Sequence, residues 1–257
     1  MEESYARDDS LHLASHLLPL YHTTDQLKAG ESIMNTFLLR ADDVLRGRLH
    51  TSRAVDTGQT LQHLIVCIVL FGVIYGGVMG SYGGASGYRV WQMLASAIKV
   101  PLLLLVTFGL SLPPYFVLNT LSGLRDDFAE ALRALMATQA GLAVILAALA
   151  PFTLLWYASS STYQSAILFN AAMFAIASVS SQRLLRRYYG PLIARNERHR
   201  RLLRLWLVLY GFVGIQMGWI LRPFIGDPAS PATFLRAESW GNAYVVLSRL
   251  IWNVIAP

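Results

Sequence analysis

Residues 61–79 have the sequence LQHLIVCIVLFGVIYGGVM and contain no Asp, Glu, Lys or Arg. About 20 consecutive, predominantly apolar residues are what an α-helix needs to cross the hydrocarbon core of a bilayer. Four further apolar stretches follow, near residues 91–119, 135–157, 164–184 and 202–221. The pattern predicts an all-α, polytopic membrane helix bundle with five spans.

The composition of the whole chain agrees with this prediction. Of its 257 residues, 54% are hydrophobic and 14% are charged. Soluble globular proteins carry about 25% charged residues, so the composition excludes a disordered chain and an ordinary soluble enzyme. The single cysteine, Cys67, excludes an intrachain disulfide and a cysteine-based metal site.

The chain divides into three predicted regions. Residues 1–60 hold nine of the 15 acidic residues and form a small cytosolic helical region. Within it, residues 25–49 form an amphipathic helix that packs on the rest of the protein, lies in the membrane interface or docks a partner. Residues 61–222 form the five-span membrane domain. Residues 223–257 form an outer turn and a helix that lies on the outer surface or makes a sixth span.

Small residues and prolines predict how the first two spans pack. Gly72, Gly76 and Gly80 lie four residues apart on one face of the first span, which favours close helix approach over a glycine-lined permeation path. The second span is long, and its prolines predict breaks or a kink. These prolines are Pro101, Pro113 and Pro114.

Arginine and lysine residues predict the orientation. With a cytosolic amino terminus, 16 of the 21 Lys and Arg residues face the cytosol, as the positive-inside rule requires. We therefore expect an integral, multi-pass protein of a bacterial inner membrane.

Eight of these residues lie in the linker between spans four and five: Arg183, Arg186, Arg187, Arg195, Arg198, Arg200, Arg201 and Arg204. This cluster either sets topology and touches lipid incidentally, or contacts anionic lipid head groups at about 1 kcal/mol per basic residue. Nucleic acid is not expected as a partner, because no aromatic stacking platform accompanies the arginines.

One polar set inside the spans is the candidate functional site. Lys99 is the only ionisable residue well inside a predicted span, where a charge is costly and marks a candidate site for substrate or ions. Its ammonium can instead reach the outer head groups or bond to helix carbonyls. Asn119, Gln139, Asn170 and Gln216 complete the set, either as separate links between helices or as the lining of a polar cavity.

The chain contains no GxSxG, P-loop, GxGxxG or HExxH motif, so we expect no catalytic residues, no cofactor and no metal. The first function hypothesis is a non-enzymatic integral membrane protein that organises or supports other membrane components. Its partners are then other membrane proteins or further copies of itself. The alternative is a small anion-selective channel or carrier with Lys99 in the pathway.

Two short segments support a family resemblance: residues 96–101, SAIKVP, and residues 221–228, LRPFIGDP. In the second, Arg222 and Asp227 are expected to pair across a rigid turn. Together with the polar amino-terminal region and the proline-containing second span, residues 60–257 resemble the Yip1-type class of polytopic membrane proteins. They are also similar to uncharacterised bacterial multi-span proteins, some of which carry automatic labels as actin-binding WH2 proteins. The resemblance implies no catalytic residues.

Overall fold

The computed structural model describes residues 39, 41–46, 57–84, 87, 89–160, 162–226, 234–235 and 245. The chain divides into two compact units, residues 1–43 and residues 44–257. In the first unit, Leu39 and residues 41–43 are helical. Val44 and Leu45, which belong to the second unit, are helical as well. The rest of the amphipathic helix expected over residues 25–49, apart from Arg46, lies outside the described residues. Asp227 lies outside them too, and of the helix expected within residues 223–257 only Val245 is described as helical.

The second unit confirms the predicted fold class. Five helices of the described chain are long and apolar enough to cross a membrane. A short 3-10 helix, Arg125–Asp127, precedes the third of them. We name them α1 (Thr57–Gly80), α2 (Arg89–Leu121), α3 (Phe128–Ser159), α4 (Tyr163–Arg195) and α5 (Arg198–Leu221).

The order of the helices across the bundle differs from their order in the chain. α1 packs against both α2 and α3, α4 packs against α3, and α5 packs against α2. The order across the bundle is therefore α4, α3, α1, α2, α5. α4 and α5 are consecutive in the chain but contact each other sparingly.

The glycines of α1 pack closely on α2, as their spacing predicts. A methyl group added at Gly76 would overlap the carbonyl oxygen of Ser96, and one added at Gly80 would lie 2.8 Å from the Met93 Cα. A methyl group at Gly72 would lie 3.1 Å from the Pro101 Cβ. Small residues therefore bring the two backbones together along this face, which is how helices associate in lipid.

Two local features differ from expectation. α2 continues from Arg89 to Leu121 through all three of its prolines, so the prolines do not divide it into separate helices. The segment with the eight arginines is almost entirely helical: α4 continues to Arg195 and α5 begins at Arg198. The reason is an apolar stripe at helical spacing beyond the predicted end of span four. Its buried members are Leu184, Leu185, Tyr188, Tyr189 and Leu192.

Candidate functional site

Lys99 is buried, and its ammonium has a backbone partner. The Lys99 Nζ donates to the carbonyl oxygen of Pro223 at 2.6 Å and lies 5.0 Å from the centroid of the Phe234 ring. The side chain has no exposed surface, so its ammonium does not extend to the head groups. Of the two structural interpretations, the arrangement corresponds to a bond to carbonyls, and the carbonyl belongs to the chain after α5.

Residues 222–226, which we call the post-α5 segment, lie across the first half of α2. The Gln92 Nε2 donates to the carbonyls of Pro223 and Phe224 at 3.4 and 3.3 Å, and the Ser96 hydroxyl donates to the Phe224 carbonyl. From α4, the Tyr163 hydroxyl donates to the Ile225 carbonyl at 3.1 Å. Carbonyls outside a helix lack helical partners, and the polar face of α2 supplies donors for them. The two segments that carry the family resemblance therefore meet here.

The other predicted polar residues have separate partners. Asn119 donates to the Leu124 carbonyl at 2.8 Å, at the end of α2. Gln139 donates to the Tyr210 hydroxyl at 2.6 Å and to the Leu104 carbonyl at 3.3 Å, which links α3 to α5 and α2. Gln216 is only partly buried.

Asn170 is the centre of a third group of hydrogen bonds. Its amide donates to the Tyr157 hydroxyl at 2.7 Å, its carbonyl oxygen accepts from the Tyr75 hydroxyl at 3.1 Å, and Tyr157 donates to the Met79 carbonyl at 3.1 Å. These bonds join α1, α3 and α4. Lys99, Gln139 and Asn170 thus connect different parts of the bundle, each with partners of its own, whereas Asn119 bonds within the turn that follows α2.

A cavity of about 450 Å³ lies between α1, α2, α4 and the post-α5 segment. Its described lining is mostly apolar and includes Met79, Leu103, Ile167, Phe174, Asn170 and Arg222. Lys99 is not among its described lining residues.

A buried chain of titratable side chains lies at the opposite end of the bundle. The Tyr115 hydroxyl is 2.6 Å from the Tyr189 hydroxyl, which is 3.3 Å from the Nδ1 of His199. The Nε2 of His199 is 3.1 Å from the Oδ2 of Asp127. Tyr115, Tyr189 and His199 have no more than 1% of their surface exposed. We call these four residues the inner chain; it links α2, α4 and α5 to the 3-10 helix before α3.

The surface end of the inner chain is held by an ion-pair network. Arg195 lies 3.0 Å from both the Asp127 and the Glu130 carboxylates. Asp127 precedes the first residue of α3, and the hydrogen bond from His199, together with Arg195, holds the pKa of its carboxyl below the usual range. The carboxylate therefore stays ionised beside the imidazole.

The inner chain was not predicted from the sequence, because tyrosines inside the spans were not among the candidate residues. The sequence contained two signals. Tyr115 and Tyr189 each lie within a few residues of a charged residue or of a helix end, and His199 lies among arginines. Nothing in the spacing showed that residues 74 positions apart in the chain share a hydrogen bond.

The eight arginines of the predicted lipid contact are all exposed. Arg195 is paired as described, Arg198 donates to the Ser122 carbonyl at 3.2 Å, and Arg200 pairs with Glu197 at 3.2 Å. The other five have no acidic partner in the described part of the chain: Arg183, Arg186, Arg187, Arg201 and Arg204. Their charge is therefore available to groups outside the bundle.

One face of α5 is open. Of the most apolar 18-residue stretch of α5, only 11% is buried in the structure, whereas 50% of the corresponding stretch of α2 is buried. A methyl group added at Gly211 or Gly218 would meet no described atom within 4 Å, in contrast to the glycines of α1. Leu207, Val208 and Ile215 share this exposed side. We call these five residues the open α5 face.

No protein-family model, curated protein or solved structure matches this chain. Within the described ranges, no group of three or more His, Cys, Asp or Glu side chains is placed to hold a metal ion.

Proposed function

We propose that this integral membrane protein is non-enzymatic and organises or supports other membrane components, and that the open α5 face is where a second membrane helix docks. The observation that carries the proposal is the pair of glycines on that face, Gly211 and Gly218, with open space beside them. Gly211 and Gly218 are seven residues apart, which is about two helical turns, so they lie on the same side of α5.

The inside of the same bundle shows how this chain uses such residues. On α1, the space beside the glycines at four-residue spacing is occupied by atoms of α2. Helix association in lipid depends on van der Waals contact, since lipid tails are as apolar as leucine side chains. A glycine surface left open therefore favours a partner helix, which is a second copy of this chain or another membrane protein.

The orientation and lipid contacts belong to the same proposal. The arginines at the α4–α5 turn favour a cytosolic location for this end and for the amino terminus, in a bacterial inner membrane. The five arginines without acidic partners favour contact with anionic lipid head groups there. A Yip1-type assignment is also a proposal, supported by the five spans and the contact between the two resembling segments.

Anion transport through Lys99 receives no support from a specific observation. The ammonium is bonded to the Pro223 carbonyl, and Lys99 is not in the described lining of the cavity. We therefore keep the assembly proposal as the conclusion.

The test replaces the open glycine and compares it with a matched glycine elsewhere. Gly211→Leu places a bulky side chain on the open α5 face. The control, Gly109→Leu, places the same side chain on α2, at a glycine whose added Cβ would also meet no described atom within 4 Å. Both chains are cross-linked in native membranes and sized after gentle detergent extraction. We expect the wild type and Gly109→Leu to form a defined complex and Gly211→Leu to lose most of it. A wild-type chain that remains alone, or a complex equally stable in Gly211→Leu, would contradict the proposal.

A further inference from the structure

The inner chain has an arrangement of donors and acceptors that depends on one proton. We propose that Asp127, His199, Tyr189 and Tyr115 form a proton-binding site open to the side of the membrane that carries the α4–α5 turn, and that a proton on His199 reverses the hydrogen bonds of both tyrosines. The site is independent of the open α5 face.

With a neutral imidazole, every member of the inner chain is satisfied. The Nε2–H of His199 donates to the ionised Asp127 carboxylate, because the other tautomer would set two lone pairs against each other. The Nδ1 then accepts from the Tyr189 hydroxyl, and the Tyr189 oxygen accepts from the Tyr115 hydroxyl. All donors in the inner chain therefore point from the bundle interior toward Asp127.

A second proton on the imidazole reverses this direction. The new Nδ1–H must donate to the Tyr189 oxygen, so the Tyr189 O–H turns to the Tyr115 oxygen. The Tyr115 O–H then has no acceptor among the described residues, and its ring lies between Phe128 and Trp206. A buried hydroxyl without an acceptor is unfavourable, so the proton changes how tightly the ends of α2 and α4 are joined.

The charged groups around His199 favour or oppose the imidazolium and mark the route by which protons reach it. Asp127, from the 3-10 helix, favours the imidazolium. Arg195 of α4 pairs with the same Asp127 carboxylate and with Glu130 of α3, and its positive charge opposes the imidazolium. On α5, the Arg198 guanidinium donates to the Ser122 carbonyl and Arg200 pairs with Glu197. The Asp127 side chain is 23% exposed and the imidazole is not exposed at all, so protons reach His199 beside Asp127.

Imidazoles ordinarily change charge between pH 5 and 8, which sets the range to examine. The full-length protein is reconstituted in nanodiscs with ring-13C tyrosine and 15N histidine. Infrared difference spectra between pH 8 and pH 5 report whether a tyrosine hydroxyl donates or accepts, and 15N resonances report the charge of each imidazole. His199→Gln identifies the His199 resonance. The comparison variants are Tyr189→Phe, Tyr115→Phe and Tyr82→Phe; Tyr82 packs on Tyr157 at the other end of the bundle.

We expect a tyrosine band shift in the wild type that follows the titration of the His199 resonance. The shift is lost in His199→Gln and Tyr189→Phe, about halved in Tyr115→Phe, and unchanged in Tyr82→Phe. Tyr115→Phe keeps the histidine, so it decides the matter if His199→Gln does not fold. A His199 resonance that does not titrate, a titration with no tyrosine shift, or a shift that survives His199→Gln would each overturn the proposal.

Discussion

At the scale of single residues, Lys99 shows how an isolated cation is accommodated in this bundle. The described residues offer it no acidic partner, and its compensation consists of a carbonyl oxygen at 2.6 Å and an aromatic ring at 5.0 Å. A positive charge beside a ring face and a short bond to a carbonyl both offset part of its desolvation. The side chain therefore holds the post-α5 segment against α2.

Two substitutions separate the donor of Lys99 from its charge. Lys99→Gln removes the charge and keeps an N–H donor, whereas Lys99→Met removes both. We expect Lys99→Met to unfold more easily than Lys99→Gln by about 1 kcal/mol, because the Pro223 carbonyl loses its closest donor. Denaturant unfolding in detergent measures the difference. If Lys99→Met is as stable as Lys99→Gln, the bond to Pro223 is not what holds the segment.

Asp127 predicts a pH dependence of stability. Because the pKa of its carboxyl is lower in the folded protein than the ordinary value of about 3.9, ionised Asp127 stabilises the fold above that value, and the contribution is lost as the pH falls through the folded-state pKa. We expect Asp127→Asn to lower the melting temperature at pH 7 and to lower it less at pH 3, which is below the ordinary carboxyl pKa. The control is Asp126→Asn, the exposed neighbour. An equal effect of Asp127→Asn at both pH values would contradict the assignment.

Sequence reasoning at this scale identified which residues matter better than what they contact. An intramembrane lysine stands out in an apolar stretch, so Lys99 was a candidate from its position alone. Its partner is a backbone carbonyl 124 residues later in the chain, and a carbonyl has no sequence signature. The same limit applied to Tyr115 and Tyr189, since tyrosine is common both as a core residue and at membrane interfaces.

At the scale of helices, two adjacent glycines of α1 provide a matched pair. A Cβ at Gly76 meets the Ser96 backbone, whereas a Cβ at Gly77 lies 4.0 Å from the Ala97 Cβ, an ordinary contact. We expect Gly76→Ala to lower the stability by about 1–3 kcal/mol, because the α2 backbone must shift. Gly77→Ala is expected to be neutral. Thermal unfolding in detergent compares the two, and an equal loss at both positions would mean that α1 and α2 are not held by this contact.

The exposed arginines of α4 and α5 predict a preference for anionic lipid. We expect phosphatidylglycerol to raise the melting temperature of the detergent-solubilised protein more than phosphatidylcholine does. Replacing Arg183, Arg186 and Arg187 together by Gln should remove most of that difference, since each basic residue near an anionic surface contributes about 1 kcal/mol. Arg200→Gln, at a position already paired with Glu197, is the control. A full phosphatidylglycerol effect in the triple variant would exclude these arginines as the contact.

At the scale of the whole molecule, the five spans could be predicted because each depends only on its own composition. The order α4, α3, α1, α2, α5 could not, since in lipid all five helices are apolar and the faces that pack differ by a few small residues. The extension of α4 to Arg195 was missed for a related reason: arginines end an apolar stretch but do not end a helix.

The orientation is a prediction that cysteine labelling decides. Cys67 is buried and is first replaced by Ala, and single cysteines are then placed at Ser159 and Arg201, which are exposed at opposite ends of the bundle. With a membrane-impermeant thiol reagent added to intact cells, we expect labelling at position 159 and none at position 201. The reverse pattern would place the amino terminus outside.

The packing of α5 against α2 has a consequence for how the chain is made. α2 and α4 each pack against the helix synthesised immediately before them, and α3 packs against α1 with only one helix between them in the chain, so each can dock soon after it leaves the translocon. α5 must instead find a surface completed about 80 residues earlier, which at ordinary elongation rates is a wait of roughly 4 to 15 s. During that interval the side of α2 that later receives α5 faces lipid. This surface is then accessible to any insertase or chaperone that acts on this protein.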